Sequence, residues 1–74
     1  MTLQGDPIHT TVAIKDRECF WSSDGRPGGP TLSFPAGTKM KAGTNPLGGN
    51  IFGAFTDADG HGVLVPLGET EWAP

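Results

Sequence analysis

Three side chains in this chain have the chemistry for nucleophilic or soft-metal work: Cys19, His9 and His61. A thiolate beside a neutral imidazole makes a nucleophile–base pair, and a sulfur with nitrogens makes a zinc-type ligand set. No recognisable ligand spacing accompanies them, and a single cysteine in an extended apolar run reads first as a small buried hydrophobe. Asp57-Ala58-Asp59-Gly60-His61-Gly62 places acids at positions one and three and a glycine at six, as calcium loops do. Position twelve is Gly68 where such a loop needs a bidentate acid, so the segment reads as a β-turn shaped by Asp and Gly. The expectation is therefore no catalytic residue, no metal and no cofactor.

Two glycine-rich segments, Gly25 to Pro30 and Gly43 to Gly49, have the composition to cradle an anion with backbone N–H groups. Arg26, Gly28, Gly48 and Gly49 are the ligand-binding candidates there, with Lys41 nearby. Neither segment carries a phosphate-loop or dinucleotide pattern, so plain connecting loops remain the competing reading. Nucleic acid is not an expected partner, since a pI near 5.0 repels phosphates.

The elements that hold these residues follow from punctuation. Gly (12) and Pro (7) supply about a quarter of the 74 residues and leave only residues 8–24 uninterrupted long enough for a helix. That window carries β-branched Thr10, Thr11, Val12 and Ile14 without helical spacing, so it too reads as extended. The predicted strands are Thr10 to Lys15, Cys19 to Trp21, Thr31 to Phe34, Thr38 to Ala42, Asn50 to Thr56 and His61 to Leu67.

Val12 and Ile14 are predicted to face one way, and Asp16-Arg17-Glu18 to form a charged turn or bulge. Pro35-Ala36-Gly37 reads as a type I turn with Pro second and Gly fourth. Pro66 is expected to end the last pairing. Gly68 to Trp72 is expected as one short 3-10 turn, with Trp72 closing an end of the core.

The fold class predicted is all-β: a five- to six-stranded barrel or roll, with residues 1–9 a flexible N-terminal segment and 10–74 a single domain. The turn Asp57 to Gly60, the strand Gly62-Val63-Leu64-Val65-Pro66 and the helical turn toward Trp72 resemble a Src-homology-three-like (SH3-like) small barrel. The resemblance covers residues 38–74 and implies a fold. The chain has no tyrosine and no paired tryptophans, so the resemblance does not imply that family's groove for proline-rich ligands.

The function expected is association. Hydrophobic residues make up 35% of a 74-residue chain, a lean core that favours a homo-oligomer or a bound partner. Residues 50–56 are apolar on both faces, with Ile51 and Phe55 on one and Phe52 and Ala54 on the other. Charge is also segregated. Residues 25–56 hold Arg26, Lys39 and Lys41 without an acid, whereas 57–74 hold Asp57, Asp59, Glu69 and Glu71 without a lysine or arginine.

Such charges either meet inside one fold or drive head-to-tail contact between copies. Trp21, Phe52 and Trp72, with Lys39 and Lys41, are the expected partner-binding residues. The leading expectation is a non-enzymatic, cytoplasmic interaction or assembly module that binds itself or a larger protein. A phage or virion structural component is a variant of it. The alternatives are a sponge-like protein for a small anionic or nucleotide ligand, and a thiol enzyme using Cys19.

Overall fold

The computed structural model describes residues 5–23, 28–44 and 51–74. Among these residues the chain is all-β, with no helix. Eight strands run in the order β1 (Pro7–Thr10), β2 (Ile14–Glu18), β3 (Phe20–Trp21), β4 (Thr31–Phe34), β5 (Lys39–Thr44), β6 (Ile51–Thr56), β7 (Gly62–Leu67) and β8 (Trp72–Ala73). Six form one antiparallel sheet, β3-β7-β6-β5-β1-β8, and β2 pairs with β4 in a separate ribbon. The strands form two sheets and do not close into a barrel.

Register sorts the side chains of the large sheet into two faces. Val63, Val65 and Leu67 lie opposite Phe55, Gly53 and Ile51, and Ala42 lies opposite Gly53. This inner face is where the ribbon packs: Ile14 and Phe34 join Ile8, Cys19, Met40, Ala42 and the β7 valines in the buried core. Phe34 meets Phe55 edge-on at 5.1 Å. Gly53 is small for a packing reason, since a Cβ there would stand 2.5 Å from the Met40 sulfur.

The ribbon holds its position through a bulge. The β2–β4 register shifts between Ile14 and Arg17, and Asp16 takes a left-handed backbone with φ 50°. One extra residue reverses the alternation, so Ile14, Arg17 and Cys19 all turn inward in spite of their uneven spacing. The Asp16 N–H is satisfied by Ser33 Oγ at 2.9 Å.

Arg17 then reaches both carboxylate oxygens of Glu71, at 2.9 and 2.7 Å, and donates to the Pro66 carbonyl at 2.6 Å. Glu71 Oε1 also accepts the Gly68 N–H at 2.7 Å. The hydrogen bonds from Arg17 and Gly68 hold the Glu71 carboxyl below its ordinary range, while Glu71 keeps Arg17 more firmly protonated.

Several predicted details are corrected. Residues 7–9 are not outside the domain, because Ile8 is buried and β1 pairs on both sides, with β5 and β8. No continuous strand runs from Thr10 to Lys15, and Val12 is 47% exposed. The corner at Thr11 bends because its N–H and hydroxyl bond to the carbonyls of Glu71 and Thr70.

The Pro35 turn has its closing bond from Thr38 N–H to Pro35 O, which puts Gly37 third with φ 87°, as a type II turn requires. Pro66 does not end the pairing, and lies opposite Phe52 within the β6–β7 ladder. β3 flanks β7 only at Val63 and Leu64, so at Pro66 one side lacks a strand and no N–H is needed there. Gly68 to Glu71 is a β-turn closed by a single bond of 3.0 Å, not a 3-10 helix, because Trp72 pairs at once with Thr10 in β1. The hairpin at Asp57 to Gly60 and the strand Thr31 to Phe34 form as predicted.

Two outcomes follow from this clip and bulge. Glu71→Gln should lower stability by about 1–2 kcal/mol at neutral pH, modest for a charge-assisted pair because both side chains keep some solvent access. Glu71 is depressed in the folded state, so its contribution is full above the ordinary carboxylate pKa and fades as pH falls through the lower folded value. Urea unfolding should accordingly show the gap between wild type and variant shrinking in acid. At the bulge, Asp16→Gly should stay within about 1 kcal/mol of wild type, and Asp16→Val should cost roughly 1–2 kcal/mol more, since a β-branched residue resists positive φ. Thermal melts of the two variants check this.

Candidate interaction surface on the outer face of the large sheet

The opposite face of the six-stranded sheet has no second layer among the described residues. Its members again follow from register. Phe20 lies opposite Leu64, Leu64 opposite Ala54, and Ala54 opposite Lys41, while Phe52 lies between Pro66 and Gly43. His9 stands beside Lys39. The result is an apolar strip across β3, β7 and β6, bordered by two lysines and a histidine on β5 and β1.

A shallow groove of about 630 Å³ opens along this face, its walls including Pro7, Ser22, Lys39, Lys41, Ala54 and Thr56. Lys39, Lys41, Ala54 and Thr56 are exposed, and Phe20, Leu64 and Pro66 are half-buried. No ion pair engages either lysine among the described residues.

The predicted partner residues divide. Lys39 and Lys41 project from this face as expected. Phe52 lies on it too, but is only 9% exposed, with Phe20 packed against it at a ring distance of 5.4 Å. Trp21 is 37% exposed at the sheet's edge strand, edge-on to the exposed His61 ring at 6.0 Å. Trp72 packs against the core beside Thr10, at the end of the sheet as the core reading required.

Phe20 and Leu64 are not among the predicted partner-binding residues. The signal was there for Leu64, because β7 is apolar at Leu64 and Pro66 as well as at Val63, Val65 and Leu67, the same two-sided pattern that marked β6.

Among the described residues, the remaining candidates do not come together in a catalytic arrangement. Of the glycine-loop set, Arg26, Gly48 and Gly49 lie outside the described residues. Gly28 is exposed, with open space around it. Its neighbour Gly29 instead lets two backbones meet, since a Cβ there would stand 2.5 Å from the Cys19 carbonyl.

Asp57, Asp59 and His61 bring one ligand atom each within 4.8 Å. Asp57 Oδ1 is already taken, accepting the N–H groups of Asp59 and His61 at 3.0 and 2.8 Å, so turn geometry accounts for the grouping. Cys19 is 1% exposed, and burial pushes its thiol pKa up against the opposing pull of the Leu32 amide and the Arg17 charge. His9 and His61 are not its partners: His9 lies on the outer face and His61 in the exposed hairpin.

No helix among the described residues is long and apolar enough to cross a membrane. Comparison with known proteins finds no family model, no curated protein and no solved structure that matches this chain.

Cys19 should therefore be inert in the native state. Iodoacetamide at neutral pH should modify it roughly a hundredfold or more slowly than in urea-unfolded chain, because reaction has to wait for opening. Mass spectrometry of timed samples reads this, and fast native labelling would return the thiol to consideration as a nucleophile.

Proposed function

We propose that this chain is a non-enzymatic interaction module that works by self-association or by binding a larger protein, through the outer face of its six-stranded sheet. One observation carries the reading: among the described residues, a sheet covered on one face by its own ribbon leaves the other with Phe20, Leu64, Ala54 and Pro66 beside two lysines in no ion pair. Contiguous apolar area rimmed by charge on a small domain marks an association surface. The 35% hydrophobic content adds support, since a core this lean gains from burying more apolar area against a partner.

A role as a phage or virion structural component is a variant of the same reading, and residence in the cytoplasm belongs to the proposal. The likeness to an SH3-like unit is proposed for the fold in its open, roll-like form. The Asp57 hairpin, the β7 strand and the tight turn before Trp72 support it.

Ala54 is the position to test, being exposed at the middle of the face and opposite Lys41. Ala54→Arg places a long cation there without touching the core. Sedimentation should show wild-type mass rising above the monomer with concentration, or a complex with a defined protein, and the variant should lose it while still unfolding in one cooperative thermal transition. A monomeric chain whose binding behaviour Ala54→Arg leaves unaltered would overturn the reading.

A further inference from the structure

The same structure points to what covers this face. We propose that the occupant is a second copy of the chain, docked head-to-tail, so that Lys39 and Lys41 of one copy meet Asp57 and Asp59 of the next. This rests on the outer-face reading above and adds the partner's identity and polarity.

Lys41 lies opposite Ala54, and continuing that register sets Lys39 level with Thr56, immediately before Asp57. The two charge sets therefore occupy the same end of the β5–β6 pair. They do not face the same way. Thr56 belongs to the outer face, so Asp57 continues β6 on the inner side.

There Asp57, Ala58 and Asp59 help line a cleft of about 530 Å³ with Leu32, Phe34 and Phe55. Among the described residues neither set pairs with the other, and the ion pairs there are Arg17–Glu71 and Asp57–His61. Asp59 is exposed, its carboxylate in no ion pair there.

Translation of a second copy resolves the mismatch. When the outer face of one molecule lies against the hairpin side of the next, basic groups on an apolar floor meet acidic groups beside an apolar cleft. Complementary charges of this kind set register and partner choice, while the apolar area supplies affinity. A contact of roughly 800 Å² per partner would use about one sixth of the 4813 Å² surface on each side, which one chain can provide twice. Because the two surfaces differ, the contact is heterologous, and successive copies close into a ring or extend as a filament.

Charge reversal tests the pairing. Lys39→Glu with Lys41→Glu turns the outer face acidic, and Asp59→Lys sets a cation at the exposed position of the hairpin. All three positions are exposed, and thermal melts confirm that each variant folds. Each variant alone should associate at least about tenfold more weakly than wild type in sedimentation velocity at low salt, because like charges then face each other.

An equimolar mixture should recover assembly, since each variant's face then meets the other's hairpin with opposite sign. Added salt should weaken wild-type association. Unchanged association of Asp59→Lys, or a mixture that stays dissociated, would overturn the head-to-tail pairing. Should Ala54→Arg still abolish association in that case, the outer-face surface stands and only the partner's orientation falls.

Discussion

The Arg17 guanidinium joins three separated parts of the chain: its own strand β2, the Pro66 carbonyl in β7, and the Glu71 carboxylate just before β8. The ribbon that seals the core is only two strands wide, and its partner sheet ends in a two-residue strand. Backbone ladders this short hold little by themselves. A bidentate pair with a third bond to a carbonyl ties the ribbon, the long hairpin and the C-terminal turn into one arrangement. It depends in turn on the left-handed residue at Asp16, without which Ile14 and Arg17 would point to opposite sides.

Sealing one face defines the other. Once Ile14, Phe34 and Cys19 cover the inner side of β5, β6 and β7, the outer side of the same strands has nothing among the described residues to cover it. Strand periodicity then dictates what it displays, because each inward residue is followed by an outward one. The apolar strip from Phe20 to Ala54 and the lysines of β5 are thus the complement of the core. Asp57 follows β6 onto the opposite side of the sheet by that same alternation and Asp59 borders the same cleft, so the charge asymmetry of the linear sequence becomes an asymmetry between two faces.

Much of this was legible residue by residue. The lysines flanking Met40 alternate cleanly, and β6 reads as two-sided from Ile51 to Phe55. The hairpin at Asp57 to Gly60 has the composition its geometry demands. Where reading failed, a long-range partner had overridden a local signal. Thr10 to Lys15 has every local mark of one strand, yet bonds from Thr11 to the C-terminal turn break it. Gly68 to Trp72 has a helical look until Thr10 claims Trp72 as a ladder neighbour. Pro66 stops a strand by rule, but not where one side of that strand needs no donor.

The amino-acid sequence alone determined that the chain would be short strands and tight turns, because glycine and proline recur too often for helices and β-branched residues fill the gaps. Alternation within each strand also determined which residues share a face. Which of the two faces became the core was decided only by tertiary structure. That choice depends on the β2–β4 ribbon folding over one side, and on Arg17 finding Glu71 at a distance of 54 residues. Local propensity has no term for a contact of that span; only the folded chain brings the two charges together.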